Sequence, residues 1–248
     1  MNLLDGLVEF WTFNDTLVGL NGHTLASADG LPHFVAGKIG YGWEMYGDGR
    51  SALSCVLSAL SPQATGLTIA LWTRQVPVGY FYPTTTGIAS LNDGTTSERC
   101  EILGRKTGDK IAVAARVISG GTSTVQAAET SLAVPMDSWR LIGCSYAPDL
   151  LTARMDLFKA ARVQSAPIPT SVSQLTIGAV PALTGKLIGV QDSIGVWSRV
   201  LSDEDWSALY AAGLGWEPSA QTIKQHLIVS PSGIIQPVGS SIVVPGWV

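Results

Sequence analysis

The sequence predicts an all-β protein: a two-sheet antiparallel sandwich with one short helix near its C-terminal end and a β-rich extension after it. Three observations carry this. Short runs rich in Val, Ile, Thr and aromatic residues recur along the chain, bounded by Gly, Pro, Asn, Asp and Ser, the punctuation of strands and tight turns. Some runs alternate apolar and polar residues, as in TIALWTR at 68–74, which puts one face of a strand in a core. Only one segment, starting at Ser202, combines helical spacing with helix end signals.

In chain order, Val8–Phe13 opens the series with Phe10, Trp11 and Phe13, and Thr68–Arg74 follows around Trp72. Arg99–Arg105, Lys110–Ser119 and Thr122–Ala128 read as a meander with turns at Thr107-Gly108-Asp109 and Gly120-Gly121, residues that tolerate positive φ. Trp139–Tyr146 and Thr152–Phe158 are joined through a turn at Pro148-Asp149, and Gln174–Val180 and Lys186–Trp197 complete the set. In SDEDWSALYAAG, Ser202 is placed to cap the helix and Asp205 to close a capping box. Asp203, Glu204 and Asp205 suit the positive end of the helix dipole, which accounts for the acid triplet without a metal, and Gly213 is a natural stop. Trp11, Trp72, Trp139 and Trp197 lie in strands and read as core.

Composition excludes several classes of function. With 46% hydrophobic and 14% charged residues, the chain is no disordered charged tail. A net charge of −4 and scattered Lys and Arg give no footprint for a nucleic-acid backbone. No stretch approaches the ~18 uninterrupted apolar residues of a membrane helix, so no membrane insertion is expected. The opening MNLLDGLVEFW lacks a basic region and a long apolar run; it reads as a first strand and not as a secretory signal. Cys55, Cys100 and Cys144 are odd in number and widely spaced, which suggests small core residues and not a disulfide framework or zinc site.

The phrase Gly185–Ser202 (GKLIGVQDSIGVWSRVLS), running into the capped helix, resembles the closing motif of laminin-G-like domains of the concanavalin A-like superfamily. Gly6–Asn14 resembles that family's opening strand, Asn21-Gly22-His23-Thr24 its next turn, and Gly37–Gly42 its glycine-rich strand entry. Leu67–Trp72 resembles its first core strand and Met136–Gly143 its central Trp strand. The matches fall in order across about residues 6–213. The resemblance implies a jelly roll with the first and last strands side by side. Where the family often turns with Asn-Gly, this sequence has Phe158-Lys159-Ala160-Ala161-Arg162, so that hairpin is expected to depart. The expected organisation is a domain at 1–213 and an extension at 214–248. Beyond Lys224 the extension has no Asp, Glu, Lys or Arg.

Related folds include glycoside hydrolases, which need two carboxylates about a sugar bond. The spacing Glu-x-Asp-x-x-Glu of that sheet is absent. Glu98 and Glu101, three apart, fall on opposite faces of a strand and read as solvated or edge charges, so an enzyme is not expected. His23, His33 and His226 are too dispersed for a metal motif. Resemblance to calcium-binding jelly rolls makes Ca2+ a candidate at Asp15 and Asp192; the alternative is that Asp192 accepts backbone hydrogen bonds and Asp15 shapes a turn. Tyr80, Phe81 and Tyr82 are candidates for glycan or partner contact, because three consecutive aromatics in extended chain cannot all face one core.

These readings converge on a non-enzymatic structural or surface protein of a bacteriophage virion, a capsid decoration or a tail or fibre component made in the host cytoplasm. Its expected partners are other virion proteins, further copies of itself and host surface glycans. The segment carrying Ile228, Val229, Ile234, Ile235, Val243, Val244 and Trp247 is its expected assembly element, since exposed uncharged β-rich chain must be covered. A free lectin-like carbohydrate-binding module and a divergent glycoside hydrolase are the alternatives.

Overall fold

The structure is a computed structural model that describes residues 2–46, 50–75, 85–107, 110–120, 126–130, 134–135, 137–163, 167–179 and 187–218. The chain divides into two units, Met1–Glu217 and Pro218–Val248, and the described strands and helices all lie in the first.

The elements in order are β1 (Leu7–Trp11), β2 (Ala26–Ser27), β3 (Phe34–Ala36), β4 (Tyr41–Tyr46), β5 (Leu53–Leu60), α1 (Pro62–Thr65), β6 (Leu67–Gln75), β7 (Thr85–Asn92), β8 (Arg99–Thr107) and β9 (Lys110–Ile118). They continue with β10 (Gln126–Glu129), β11 (Val134–Pro135), β12 (Arg140–Tyr146), β13 (Leu150–Met155), β14 (Phe158–Val163), β15 (Val172–Ile177), β16 (Ile188–Trp197) and α2 (Asp203–Tyr210). The first sheet runs β14-β13-β12-β6-β16-β4-β3, and the second β10-β9-β8-β7-β15-β5-β2 with β11 on β9. The strand pairs are antiparallel, as the sequence predicts. One edge of β16 serves two partners: Ile188–Gln191 pair with β4, and Ile194–Trp197 pair with β1. The first and last strands are therefore neighbours, as the resemblance implies.

Alternation builds the interior. Ile69 and Leu71 of β6, Ile142 and Cys144 of β12 and Ile194 and Val196 of β16 meet Leu91 of β7, Ile102 of β8, Val113 and Val117 of β9 and Leu175 of β15 in one buried cluster. The residues between them face outward. On the first sheet these outward residues are also apolar: Ala70, Trp72, Leu141 and Trp197 form a second cluster with Leu3, Phe10 and, from α2, Trp206 and Leu209. The four Trp residues expected in one core therefore separate. Trp11 lies between the sheets, Trp72 and Trp197 lie under α2, and Trp139 packs partly buried beside them. A β-sheet exposes both faces, and a short amphipathic helix is what this sequence supplies to cover the second.

The approach of α2 depends on Gly143. A Cβ there would stand 2.3 Å from the Ile69 carbonyl oxygen and 2.4 Å from Trp206 Cη2. Ser202 caps the helix as expected, with the reciprocal Ser202–Asp205 box complete. The helix ends at Tyr210, with Ala211 in the left-handed region at φ 41° and a 3-10 turn over Ala211–Gly213, so the stop precedes Gly213. The departing hairpin also resolves. The reversal is at Asp156-Leu157, with Asp156 at φ 53°, and Phe158–Arg162 belong to a strand. Asp takes the place of Asn because its short polar side chain tolerates that region. Strands β4, β5 and β7 were not among the runs singled out above; the Gly and Ser in YGWEMY, LSCVLSAL and TTGIASLN break their apolar pattern.

Candidate binding face

The outward face of the second sheet is polar where that of the first is apolar. Parity places Ser54 and Val56 of β5, Gln174 and Thr176 of β15, Ser90 and Asn92 of β7, Arg99 and Glu101 of β8 and Arg116 of β9 on it. The register aligns them in two rows. Ser54 stands opposite Thr176, Thr176 opposite Ser90, Ser90 opposite Glu101 and Glu101 opposite Arg116. Val56 stands opposite Gln174, Gln174 opposite Asn92 and Asn92 opposite Arg99. The strip grades from an exposed Val56 through half-buried Ser54, Gln174 and Thr176 to buried Ser90, Asn92, Arg99 and Glu101.

Glu101 is fully buried and held between two guanidiniums, Arg99 Nη1 at 3.3 Å and Arg116 Nε. It is not the solvated or edge charge expected from sequence: parity turns it to the same face as Arg99, and the register brings Arg116 opposite. A carboxylate pinned this way is not available as a general acid or nucleophile. Glu98 lies outside the strand and accepts hydrogen bonds from Ser119 Oγ at 2.9 Å and from the Gly120 amide at 2.6 Å, closing the β8–β9 end. Ser90 Oγ and Asn92 Nδ2 are buried with no hydrogen-bond partner among the described residues. Each such group costs about 1–3 kcal/mol if nothing satisfies it.

Asp192 sits at a seam on the other sheet, where β16 leaves β4 and joins β1. Its Oδ2 accepts from the successive Lys38 and Ile39 amides, each at 2.8 Å, a small backbone nest for an anion. Ser193 Oγ lies 3.2 Å from Asp192 Oδ1 and 2.8 Å from Glu217 Oε1. Burial pushes the Asp192 carboxyl up to about 7, against the amide bonds that lower it; burial likewise raises Glu217. Asp15 is exposed on a turn at φ 58°. The adjacent Asn14 accepts from the Tyr41 amide, so the 37–40 loop that cradles Asp192 also contacts the Asp15 turn. Among the described residues no group of three or more His, Cys, Asp or Glu is arranged to hold a metal ion.

Of the other residues singled out from sequence, Tyr80, Phe81 and Tyr82 lie outside the described residues, as do Ile228, Val229, Ile234, Ile235, Val243, Val244 and Trp247. Cys55, Cys100 and Cys144 are free and buried, with burial raising all three thiols. His23 pairs with the buried Glu9 at 2.8 Å and His33 with Asp29 at 2.9 Å, so the two histidines serve separate loops. The polar strip itself was missed. Its period-2 signal is present in Ser90/Asn92 and Arg99/Glu101, but its width depends on which strands are neighbours.

No protein-family model and no curated protein matches the chain. Solved structures do. Domain 4 of AbnA, a GH43 extracellular arabinanase from Geobacillus stearothermophilus solved in complex with arabinotriose, is similar at TM-score 0.61 and 13% identity, covering 82% of this chain and 97% of that one. The binding domain of Paraclostridial Mosquitocidal Protein 1 is similar at TM-score 0.67 and 14% identity, covering 86% of this chain and 53% of that one. The Botulinum neurotoxin serotype G binding domain gives TM-score 0.62 and 13% identity, with 83% and 50% covered. The chain thus spans about half the length of these toxin domains. At such identities the likeness is one of fold: an antiparallel β-sandwich shared with binding domains.

Proposed function

We infer that this chain is a non-enzymatic, lectin-like binding domain whose ligand is a neutral glycan, taken on the outward face of the second sheet. The observation that carries this is the strip that leads from half-exposed Gln174 and Thr176 to buried Ser90 Oγ and Asn92 Nδ2, which lack partners among the described residues. Hydroxyl and amide groups spaced along neighbouring strands suit a chain of sugar hydroxyls. The similar GH43 domain, solved with arabinotriose, supports the reading, and the pairing of Glu101 with Arg99 and Arg116 argues against hydrolysis. The setting we infer is a bacteriophage virion, where residues 214–248 join the domain to its own copies or to other virion proteins. The support for that half is the composition of the segment beyond Lys224, which is rich in Ile and Val and has no Asp, Glu, Lys or Arg.

A glycan array tests the binding half. Reproducible binding that is lost in Gln174→Ala and Thr176→Ala supports it. Binding lost in Tyr82→Ala but kept in those two variants moves the site to the aromatic run, and silence across plant, bacterial and animal glycans overturns it. Calcium at Asp15 and Asp192 carries its own test, because a metal must take Oδ2 from two amides: heat on calcium titration, abolished in Asp192→Asn, would establish it.

A further inference from the structure

Strand β14 ends the first sheet, and no described strand lies beyond it. Its phase is fixed one hairpin away. Ala147 and Leu150 exchange both backbone hydrogen bonds across Pro148-Asp149, so Leu150, Thr152 and Arg154 turn their N–H and C=O groups toward β12. Leu151, Ala153 and Met155 then turn theirs toward β14, opposite Arg162, Ala160 and Phe158. The backbone groups of Lys159, Ala161 and Val163 therefore point away from the sheet.

This edge has few of the devices that blunt exposed strands. The β13–β14 register runs from Leu150↔Val163 to Met155↔Phe158 without a bulge, and β14 contains no Pro. Its Lys159 reaches across to Asp203 at 3.1 Å. Phe158 is 55% and Val163 79% exposed. The other edge strands described are shorter: five residues in β1, two in β2, three in β3, four in β10 and two in β11, against six in β14.

The same chain carries a sequence run of matching length and β-forming composition. Pro237 and Pro245 bracket Val238–Val244, which ends in Ile242-Val243-Val244 and has no charged side chain. Proline cannot donate to a ladder, so the pair limits a strand to that run. An uncharged strand also brings no like charge against Lys159 or Arg162.

We propose that β14 receives Val238–Val244 of a second copy as an added strand, joining copies edge to tail. This rests on the reading that residues 214–248 serve assembly, and names the acceptor. The contact is heterologous, so each copy offers one edge and one tail, and association continues from copy to copy.

Sedimentation of the full chain, of Ala161→Pro and of a chain lacking residues 238–248 tests it. Ala161→Pro removes an N–H that points away from β13, so the folded sandwich is retained, checked by circular dichroism. The expected result is association of the full chain, weakened about tenfold or more in either variant. Mixing the variants then restores a one-to-one complex, because one keeps the tail and the other the edge. Association unchanged in Ala161→Pro but lost on deletion overturns this acceptor and leaves the assembly reading standing. Association unchanged on deletion overturns both. A full chain that stays monomeric, or variants that fail to pair, also overturns the proposal.

Discussion

Replacing Asp192 by Asn tests the energetics of the β16 seam through pH. The Asp192 carboxyl is raised by burial from 3.8 to about 7. The folded protein therefore holds this proton more tightly than the unfolded chain. The stabilisation that follows is fully present below about pH 3.8 and is lost as pH rises through about 7. At about 1.4 kcal/mol for each tenfold change in proton affinity, the whole swing is about 4 kcal/mol. Glu217, raised likewise by burial, runs the same way, whereas Asp203 and Asp205 run the opposite way. Asp203 is held low by Arg154 and Lys159. Asp205, though pushed up by burial, is brought below its usual range by Arg199 and Ser202. Asp203 and Asp205 are common to wild type and variant and cancel, so the difference between the two proteins reports Asp192 together with its coupling to Glu217. Urea unfolding from about pH 4 to about pH 8 should show wild-type stability falling relative to Asp192→Asn by about 4 kcal/mol. A difference that stays level over that range, or that grows toward alkaline pH, refutes the reasoning.

Two further substitutions probe the two outward faces. Gly143→Ala drives a methyl group against the Ile69 carbonyl and Trp206; it should cost about 1–3 kcal/mol, read as a lowered midpoint in thermal unfolding, whereas an unchanged midpoint would mean α2 does not pack where described. Glu101→Gln leaves Arg99 and Arg116 facing each other in a buried site and should cost about 3 kcal/mol in denaturant unfolding, with no polysaccharide hydrolysis detectable in either protein; hydrolysis in the wild type that the variant loses would revive a catalytic role.

The fold was legible because its signals are local. Strand β6 announces itself in the alternation of Thr68–Arg74, the β12–β13 turn in Pro148-Asp149, and α2 in Ser202 and Asp205, whose box forms as the spacing requires. What escaped depends on pairing between strands distant in sequence. Nothing near Glu101 says that Arg116 lies opposite it; that follows from the β8–β9 register. Ser90 becomes part of a strip only because β15 and β8 flank β7. Trp72 and Trp197 read as interior because outward apolar residues look the same in sequence as inward ones. Trp72 turns outward because its alternation partners Ile69 and Leu71 turn inward, and the face of Trp197 follows the register shift between Asp192 and Gly195 where β16 pairs with β6. Asp192 itself was visible as an acid in an apolar strand, but its amide partners at Lys38 and Ile39 stand far away along the chain.

The most direct measurement is backbone hydrogen exchange with and without a glycan that the array identifies. Protection gained along β5, β15 and β7, around Val56, Gln174 and Asn92, is the predicted result. Protection confined to residues 76–84, with those three strands unchanged, would contradict a ligand face on the second sheet.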